Sequence, residues 1–212
     1  MWFFPIPWII TGLVSLIGGG IAIAVTSSKK TEGKSLGVLG MKQAGKSRFL
    51  SNLGLFEYEE TATLIKDYEK QIVKLNNRVL EIQAGQDVGG DVDIRGYYNQ
   101  WVGEKDITIF IFDGAAFLSD PEYGSRVRAR LHFIHNTAKR KLGEQSDYKN
   151  IVIIASHSDQ YGKGGDEAKK DMLEKIIDAV KDRKYADLMR CNFFASDLRN
   201  KKEVMEIANQ IF

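Results

Sequence analysis

The chain has 212 residues, enough for one domain of ordinary size and an appendage but too few for two full domains. With 43% hydrophobic residues, 27% charged residues and a formal net charge of +2, its composition is that of a folded protein and shows no bias toward nucleic acid. A single cysteine, Cys191, excludes a framework of intramolecular disulfides and is compatible with a reducing compartment.

The first 28 residues stand apart because none of them is charged. Within them, residues 6–25 form an almost wholly apolar run, and about 20 such residues can cross a bilayer as a helix. Aromatic residues precede the run and Lys29, Lys30 and Lys34 follow it, so the positive-inside rule places the lysine end in the cytoplasm. The sequence therefore predicts a single-pass transmembrane anchor over 1–28, a linker over 29–34 and a cytoplasmic domain over 35–212.

Two alternatives to the anchor are a cleavable signal peptide, with Ala22 and Ala24 near a cleavage site, and a buried core helix. The segment has no basic stretch before its apolar run, which disfavours a signal peptide. Its glycines at 18–20 suit a membrane helix better than a soluble one. We prefer the anchor.

The motif that organises the domain is GMKQAGKS at residues 40–47, which matches the phosphate-binding pattern GxxxxGKS at every fixed position. The apolar run before it predicts a buried strand, and the amphipathic run after it predicts a helix beginning at Lys46. In such a loop Lys46 bridges the outer phosphates and stabilises their charge, while the Ser47 hydroxyl ligates Mg²⁺. The predicted phosphate site comprises Gly40, Lys42, Gln43, Ala44, Gly45, Lys46, Ser47 and Arg48.

The rest of the chain alternates strands with helices. An acidic loop is predicted over 54–63 and a β-hairpin over 67–82, and a glycine-rich stretch follows over 84–93. Further strands are predicted over 107–112, 151–155 and 192–194. Helical patterns cover 94–102, 172–180 and 204–211. This alternation predicts an α/β fold, a doubly wound and mostly parallel sheet that binds ligands at the carboxyl ends of its strands.

The order of these elements resembles the small GTPases of the Ras and Arf type over roughly residues 34–212. The segment Ala84-Gly85-Gln86, followed by Tyr97-Tyr98, is similar to the switch II region of the Arf-like branch. The resemblance implies that the Gly85 N–H meets the γ-phosphate and that Gln86 orients the attacking water. It also implies that a switch I threonine closes on magnesium, and Thr63 has better spacing for this role than Thr61.

Two later segments are similar to the guanine-reading motifs of the same family. Ser156-His157-Ser158-Asp159 stands in the place of the (N/T)KxD motif, where Asp159 would accept two hydrogen bonds from guanine that adenine does not offer. Ala195-Ser196-Asp197 stands in the place of the SAK loop, which supplies backbone N–H to the guanine carbonyl. The resemblance therefore implies GTP or GDP with Mg²⁺ as the cofactors.

The sequence departs from the family pattern at three places. In the switch II register that aligns Gln86, the aspartate of the DxxG motif is replaced by Ile82. A second register, which we prefer less, reads Asp87 to Gly90 as DxxG but puts Asp91 where the glutamine belongs. His157 replaces a lysine that packs across the base and braces the phosphate loop, and Lys42 and Gln43 are bulky where fast-cycling members have small residues.

The resemblance implies a membrane-anchored small GTPase that acts as a switch and meets a protein partner through its switch regions. No arginine finger is evident in the chain, so slow hydrolysis is expected unless a partner supplies one. The layout of an anchor followed by such a domain resembles the β subunit of the signal-recognition-particle receptor. The alternative is a membrane platform that binds guanine nucleotide without hydrolysing it and recruits partners.

Overall fold

The computed structural model describes residues 33–58, 65–76, 79–88, 95–143, 148–162 and 165–212, all within the unit Thr31–Phe212. The predicted anchor, most of the linker, Thr61 and Thr63 lie outside these residues. Within the described ranges, no helix combines the length and the apolar character that a membrane crossing requires.

Strands and helices alternate along the described chain. The strands are β1 (Gly33–Lys34), β2 (Leu36–Gly40), β3 (Ile65–Tyr68), β4 (Gln71–Lys74), β5 (Val79–Ile82), β6 (Gly85–Val88), β7 (Ile107–Asp113), β8 (Ile151–Ser156) and β9 (Phe193–Ala195). The helices are α1 (Lys46–Asn52), α2 (Arg95–Trp101), α3 (Gly114–Ser119), α4 (Pro121–Leu142), α5 (Gly165–Val180), α6 (Leu188–Cys191) and α7 (Lys201–Ile211).

The main sheet has six strands in the order β3-β6-β2-β7-β8-β9. Strand β2 pairs in parallel with both β6 and β7, and β7, β8 and β9 continue in parallel. Only the edge strand β3 runs antiparallel among the described strands of this sheet. The prediction of a mostly parallel α/β sheet is therefore confirmed. A second sheet has the order β1-β5-β4.

The region between α1 and α2 differs from the prediction. The predicted first strand of the hairpin is divided into β3 and β4, which belong to different sheets, and only β4 pairs with β5. The glycine-rich stretch over 84–93, in which no strand was predicted, contains strand β6, which lies between β3 and β2. Its sequence GQDV has little intrinsic strand preference, so hydrogen bonding to two neighbouring strands determines its conformation.

Helices cover both faces of the main sheet, and strand β7 shows how. Ile109 and Ile111 point to the face that packs against α1 and α7, whereas Phe110 and Phe112 point to the face that packs against α2 to α5. All four side chains are fully buried, which stabilises the fold by about 1.5–3 kcal/mol for each of them. Burial on both faces explains why this strand has no alternation of polar and apolar residues.

Parallel pairing brings the carboxyl ends of five strands to one edge of the sheet. The GMKQAGKS loop follows β2, Asp87 lies near the end of β6, and Asp113 ends β7. Ser156 ends β8, and Ser196 follows β9. Ligands of doubly wound sheets bind at this edge, so the fold gathers most of the predicted site residues there.

Candidate nucleotide-binding site

The loop after β2 is fixed to the centre of the sheet. The Met41 N–H donates a hydrogen bond to the Ile111 carbonyl oxygen at 2.9 Å. A β-carbon added to Gly40 would lie 2.2 Å from the same carbonyl oxygen, so the close approach of β7 requires glycine at position 40. The second fixed glycine, Gly45, has φ = 90° and caps α1, and Gln43 has φ = 57°. These left-handed conformations turn the loop back over the start of the helix.

The Lys46 side chain lies within this loop. It is 6% exposed, and its ammonium group donates a hydrogen bond to the Met41 carbonyl oxygen at 2.8 Å. Ala44 is buried beneath the loop, whereas Lys42 and Gln43 are exposed at its outer side. Ser47 and Arg48 are half-buried, and the Arg48 guanidinium stacks 3.5 Å from the centre of the Tyr58 ring. The motif thus presents a buried positive charge and a hydroxyl at the edge of the sheet.

Asp87 supplies a buried carboxylate beside this loop. The residue is 0% exposed, and neither carboxylate oxygen has a hydrogen-bond partner of good geometry among the described residues. Burial raises the pKa of Asp87, and the nearby Ser47 hydroxyl and the Lys46 and Lys66 ammonium groups partly offset that rise. A carboxylate near a hydroxyl is the oxygen donor set that Mg²⁺ prefers. The unpartnered carboxylate therefore fits the divalent cation that a phosphate site of this kind uses.

Gln86 is not brought to this loop. Successive side chains of a strand point to opposite faces, and Gln86 points away from Asp87 toward the exposed side of β3. There its amide donates a hydrogen bond to the Asp67 carboxylate at 2.9 Å. Ile82, the aspartate position of the preferred register, is a fully buried core residue of β5. This geometry favours the other register, in which Asp87 begins the DxxG motif, while Asp91 lies outside the described residues.

The glycine at position 85 also has a different explanation. Gly85 lies opposite Tyr68 in the antiparallel β3–β6 pair, and an added β-carbon would lie 2.4 Å from the Tyr68 hydroxyl oxygen. The Tyr68 hydroxyl donates a hydrogen bond to the Leu36 carbonyl oxygen, which holds the ring across Gly85. The close packing of Tyr68 therefore accounts for the glycine without a phosphate contact.

His157 lies directly after β8 in a left-handed conformation, with φ = 59°. Its Nδ1 lies 2.9 Å from the Ser156 hydroxyl and 3.5 Å from the Asp113 carboxylate. The Ser156 hydroxyl donates to the Phe112 carbonyl oxygen at 3.0 Å, so it accepts a hydrogen bond from Nδ1–H of His157. These contacts hold the imidazole at the start of the segment that resembles the guanine-reading motif.

Asp159 lies in a single 3-10 turn, Ser158–Gln160, that follows. Its Oδ2 pairs with the guanidinium of Arg199, whereas its Oδ1 is buried and has no hydrogen-bond partner in the described part of the chain. Arg199 also contacts Asp197, with its Nε 3.0 Å from Asp197 Oδ1. Burial raises the pKa of Asp197, but the Arg199 guanidinium outweighs it and holds that pKa below the ordinary carboxyl value.

A carboxylate from α7 organises the loop after β9. Glu203 Oε2 accepts a hydrogen bond from the Asp197 backbone N–H at 3.0 Å and another from the Ser196 hydroxyl at 3.2 Å. Its Oε1 lies 2.9 Å from the Lys169 ammonium of α5. The Ser196 backbone N–H donates to the Ala155 carbonyl oxygen at 3.0 Å, which fixes the loop to the end of β8. The two predicted guanine-reading segments are therefore adjacent.

Comparison with known protein families matches residues 21–201 to the ADP-ribosylation factor family. The chain belongs to this family. It is a GTP-binding small GTPase with a P-loop, as the sequence resemblance implied. No curated protein matched the chain. Within the ADP-ribosylation factor family fold, the loop at 40–47, Asp87 and the two segments after β8 and β9 surround one edge of the sheet.

Three residues at the site of this ADP-ribosylation factor family member had no role in the sequence analysis: Asp113, Arg199 and Glu203. Asp113 was recognisable only as a polar residue at the end of a buried strand. Arg199 and Glu203 contact the site through side chains that cross from other elements, which no local motif reveals. Asp87 was visible in the sequence through the DVGG pattern, and the choice between registers required the orientation of β6.

Proposed function

We propose that this chain is a membrane-anchored switch that binds GTP and GDP with Mg²⁺ and hydrolyses GTP slowly. The observation that carries the proposal is the buried carboxylate of Asp87, which lies beside the Ser47 hydroxyl and the Lys46 ammonium group and has no hydrogen-bond partner of good geometry in the described ranges. Leaving a charged group buried without a partner is costly, so such an arrangement is typical of a site that a ligand completes.

The residues of the phosphate loop would bind different parts of the triphosphate and its Mg²⁺. Lys46 would release the Met41 carbonyl oxygen and place its charge on the outer phosphates. The Ser47 hydroxyl would ligate Mg²⁺ directly, and Asp87 would accept hydrogen bonds from water molecules around the cation. Bound Mg²⁺ supplies charge neutralisation for the phosphoryl group in transfer. Thr63, outside the described residues, stays our proposed second ligand from switch I.

Base selection would depend on Asp159 and on the loop 195–197. Guanine presents two adjacent N–H donors, and the two carboxylate oxygens of Asp159 would each accept a hydrogen bond from one of them. Adenine has no such pair of donors. The loop held by Glu203 would offer a backbone N–H to the guanine carbonyl oxygen. His157 would lie where the family has a lysine, and its shorter side chain would brace the base less strongly.

Slow hydrolysis follows from the position of Gln86. The glutamine expected to orient the attacking water is hydrogen bonded to Asp67 on the exposed side of β3. A partner protein that docks on the switch regions would then have to supply or reposition a catalytic group. The same observation favours the second candidate function, a platform that binds guanine nucleotide without turnover and recruits partners to the membrane.

The proposed single-pass anchor and cytoplasmic domain depend on the apolar run at 6–25 and on the lysines after it. The test is extraction of membranes from expressing cells at alkaline pH. We expect the full chain to stay in the membrane and a variant without residues 1–28 to be released. Protease added to sealed vesicles with cytoplasmic contents inside should leave the domain intact. Release of the full chain, or digestion of its domain, would contradict the proposed location.

The nucleotide proposal is tested on the full chain in detergent, with GTP, GDP and ATP each measured with and without Mg²⁺. We expect guanine-selective, magnesium-dependent binding that Asp87→Asn weakens, with slow phosphate release from GTP. Phosphate release distinguishes the two candidate functions, because the platform would bind GTP equally well and release none. Equal affinity for GTP and ATP, or affinity that does not depend on Mg²⁺, would contradict the proposal.

A further inference from the structure

The Arg199 side chain lies between two carboxylates of the proposed base site. Its Nη2 pairs with Asp159 Oδ2, while its Nε lies 3.0 Å from Asp197 Oδ1 and its Nη2 lies 3.2 Å from Asp197 Oδ2. The Arg199 backbone N–H also donates to Asp197 Oδ1 at 3.0 Å. The arginine is thus attached to Asp197 at several points and reaches Asp159 only through the end of its guanidinium group.

This contact occupies an atom that the base requires. Two N–H donors of guanine need both oxygens of Asp159, because each oxygen faces one donor. Oδ1 is buried and has no partner among the described residues, so it is poised to accept a hydrogen bond, whereas Oδ2 already accepts one from the Arg199 guanidinium. Because a carboxylate oxygen has a second lone pair, the competition that we infer is for space and charge around Oδ2, which the guanidinium and the second guanine N–H would both approach.

The contact can also open without disturbing the fold. The Arg199 side chain is 59% exposed, whereas the Asp159 side chain is 24% exposed, so the arginine can turn toward solvent while the carboxylate stays in place. Asp197 accepts hydrogen bonds from the Arg199 backbone N–H and from Nε, and neither of these bonds involves Asp159. Exposed ion pairs of this kind contribute little to stability, which makes the contact easy to break.

We propose that Arg199 is a latch on the base site: its guanidinium pairs with Asp159, competes with guanine for that carboxylate and slows nucleotide association. The inference rests on the proposed guanine site. The latch acts only on the free protein, since guanine replaces the Arg199 hydrogen bond once it binds. Removing the latch should therefore raise the association rate and leave the dissociation rate nearly unchanged.

The test is stopped-flow association of a fluorescent GDP analogue with the nucleotide-free full chain in detergent. We expect Arg199→Ala to bind about two- to fivefold faster than wild type, the range that an exposed ion pair allows. Arg199→Lys keeps the positive charge but loses the planar guanidinium that contacts both carboxylates. Its association rate should therefore lie between those of wild type and Arg199→Ala. Arg183→Ala removes an exposed arginine outside the site and should match wild type. Added salt should narrow the ratio between Arg199→Ala and wild type, because screening weakens the latch.

The outcomes separate the latch from the function on which it rests. If wild type binds the analogue and Arg199→Ala associates no faster, the latch is wrong and the guanine site stands. Faster dissociation from Arg199→Ala with unchanged association would also overturn the latch and would mean that Arg199 holds the bound base. Circular dichroism checks that wild type and Arg199→Ala are folded. If both are folded and neither binds guanine nucleotide, the proposed function and the latch fail together.

Discussion

The Gln86 amide donates a hydrogen bond of 2.9 Å to the carboxylate of Asp67, directly opposite it in the antiparallel β3–β6 pair. The bond lies on the exposed side of the sheet edge, whereas the next residue, Asp87, is completely buried beside the phosphate loop. Two neighbouring residues of one short strand therefore face different surroundings, and only Asp87 is buried beside the phosphate loop.

Substitution of Gln86 should leave hydrolysis almost unchanged. We expect Gln86→Leu to release phosphate from GTP within about twofold of the wild-type rate, because the side chain does not reach the loop. Loss of a group that positions or deprotonates the attacking water typically costs about 100-fold or more. Single-turnover phosphate release measures the rate, and Lys46→Ala provides a variant that should be strongly impaired. A large loss of phosphate release in Gln86→Leu would instead support the register that aligns Gln86 with the catalytic glutamine.

The Asp87 carboxylate should make the nucleotide-free protein less stable as the pH rises. Burial raises its pKa above the ordinary carboxyl value of 3.8, so between that value and the raised one the folded state binds more protons than the unfolded state. The free energy of unfolding contributed by this group therefore falls as the pH rises through that window. The lowered pKa values of Asp106, Asp171 and Asp197 act in the opposite direction, so the comparison is between wild type and Asp87→Asn.

We expect Asp87→Asn, without nucleotide, to be as stable as wild type at low pH and more stable at pH 7, since it removes a buried charge. With GTP and Mg²⁺ the order should reverse, because the variant loses the stabilisation that ligand binding gives. Thermal unfolding from pH 4 to pH 8, with and without ligand, measures both effects. An Asp87→Asn variant that is destabilised at every pH without ligand would show that the carboxylate is structural.

The glycine at the start of the phosphate loop should tolerate no side chain. A β-carbon at position 40 would lie 2.2 Å from the Ile111 carbonyl oxygen, so Gly40→Ala should destabilise the protein by at least about 2 kcal/mol and abolish nucleotide binding. Gly96→Ala, in α2 with no atom within 4 Å of the added carbon, is the matched control. It should be within about 0.5 kcal/mol of wild type or slightly more stable. Urea unfolding of both variants measures the difference, and equal stabilities would contradict the close contact.

Glu203 should support guanine binding from a distance. Removing its carboxylate in Glu203→Ala frees the Asp197 N–H, the Ser196 hydroxyl and the Lys169 ammonium, so the loop after β9 loses its position. We expect affinity for GDP to fall about tenfold, the cost of losing a charge-assisted hydrogen bond. Glu206→Ala is the control, because that exposed side chain of the same helix pairs only weakly with Lys202, at 3.8 Å. Equal GDP affinities in the two variants would remove the positioning role.

The sequence allowed prediction where local pattern and tertiary structure agree. Residues 40–47 match a loop whose glycines are required by backbone geometry, and the apolar stretch of β7 is buried on both faces, so each had an unambiguous meaning. Prediction failed at β6, because glycine, glutamine and aspartate have weak strand preference and the strand forms through its neighbours. The predicted role of Gln86 depends on the same segment, because a one-residue change of register exchanges the faces of a strand.

Arg199 and Glu203 were unpredictable for another reason. Each acts through a side chain that contacts a segment from a different element, and these contacts exist only once the sheet and helices are assembled. Asp87 was partly predictable. Its DVGG motif is visible in the sequence, but its role depends on which face of β6 the side chain occupies. The orientation of the β6 side chains, which depends on the assembled sheet, distinguishes the two registers.

The hydrogen bond from Met41 to Ile111 has a consequence for how ligand binding spreads through the molecule. It fastens the phosphate loop to the middle strand pair of the sheet, so the loop cannot loosen independently of β2 and β7. Ligand that binds there should therefore slow amide hydrogen exchange throughout the central strands and not merely in the loop. Backbone amides of the buried strands β2 and β7 would then report whether the site at the sheet edge is filled.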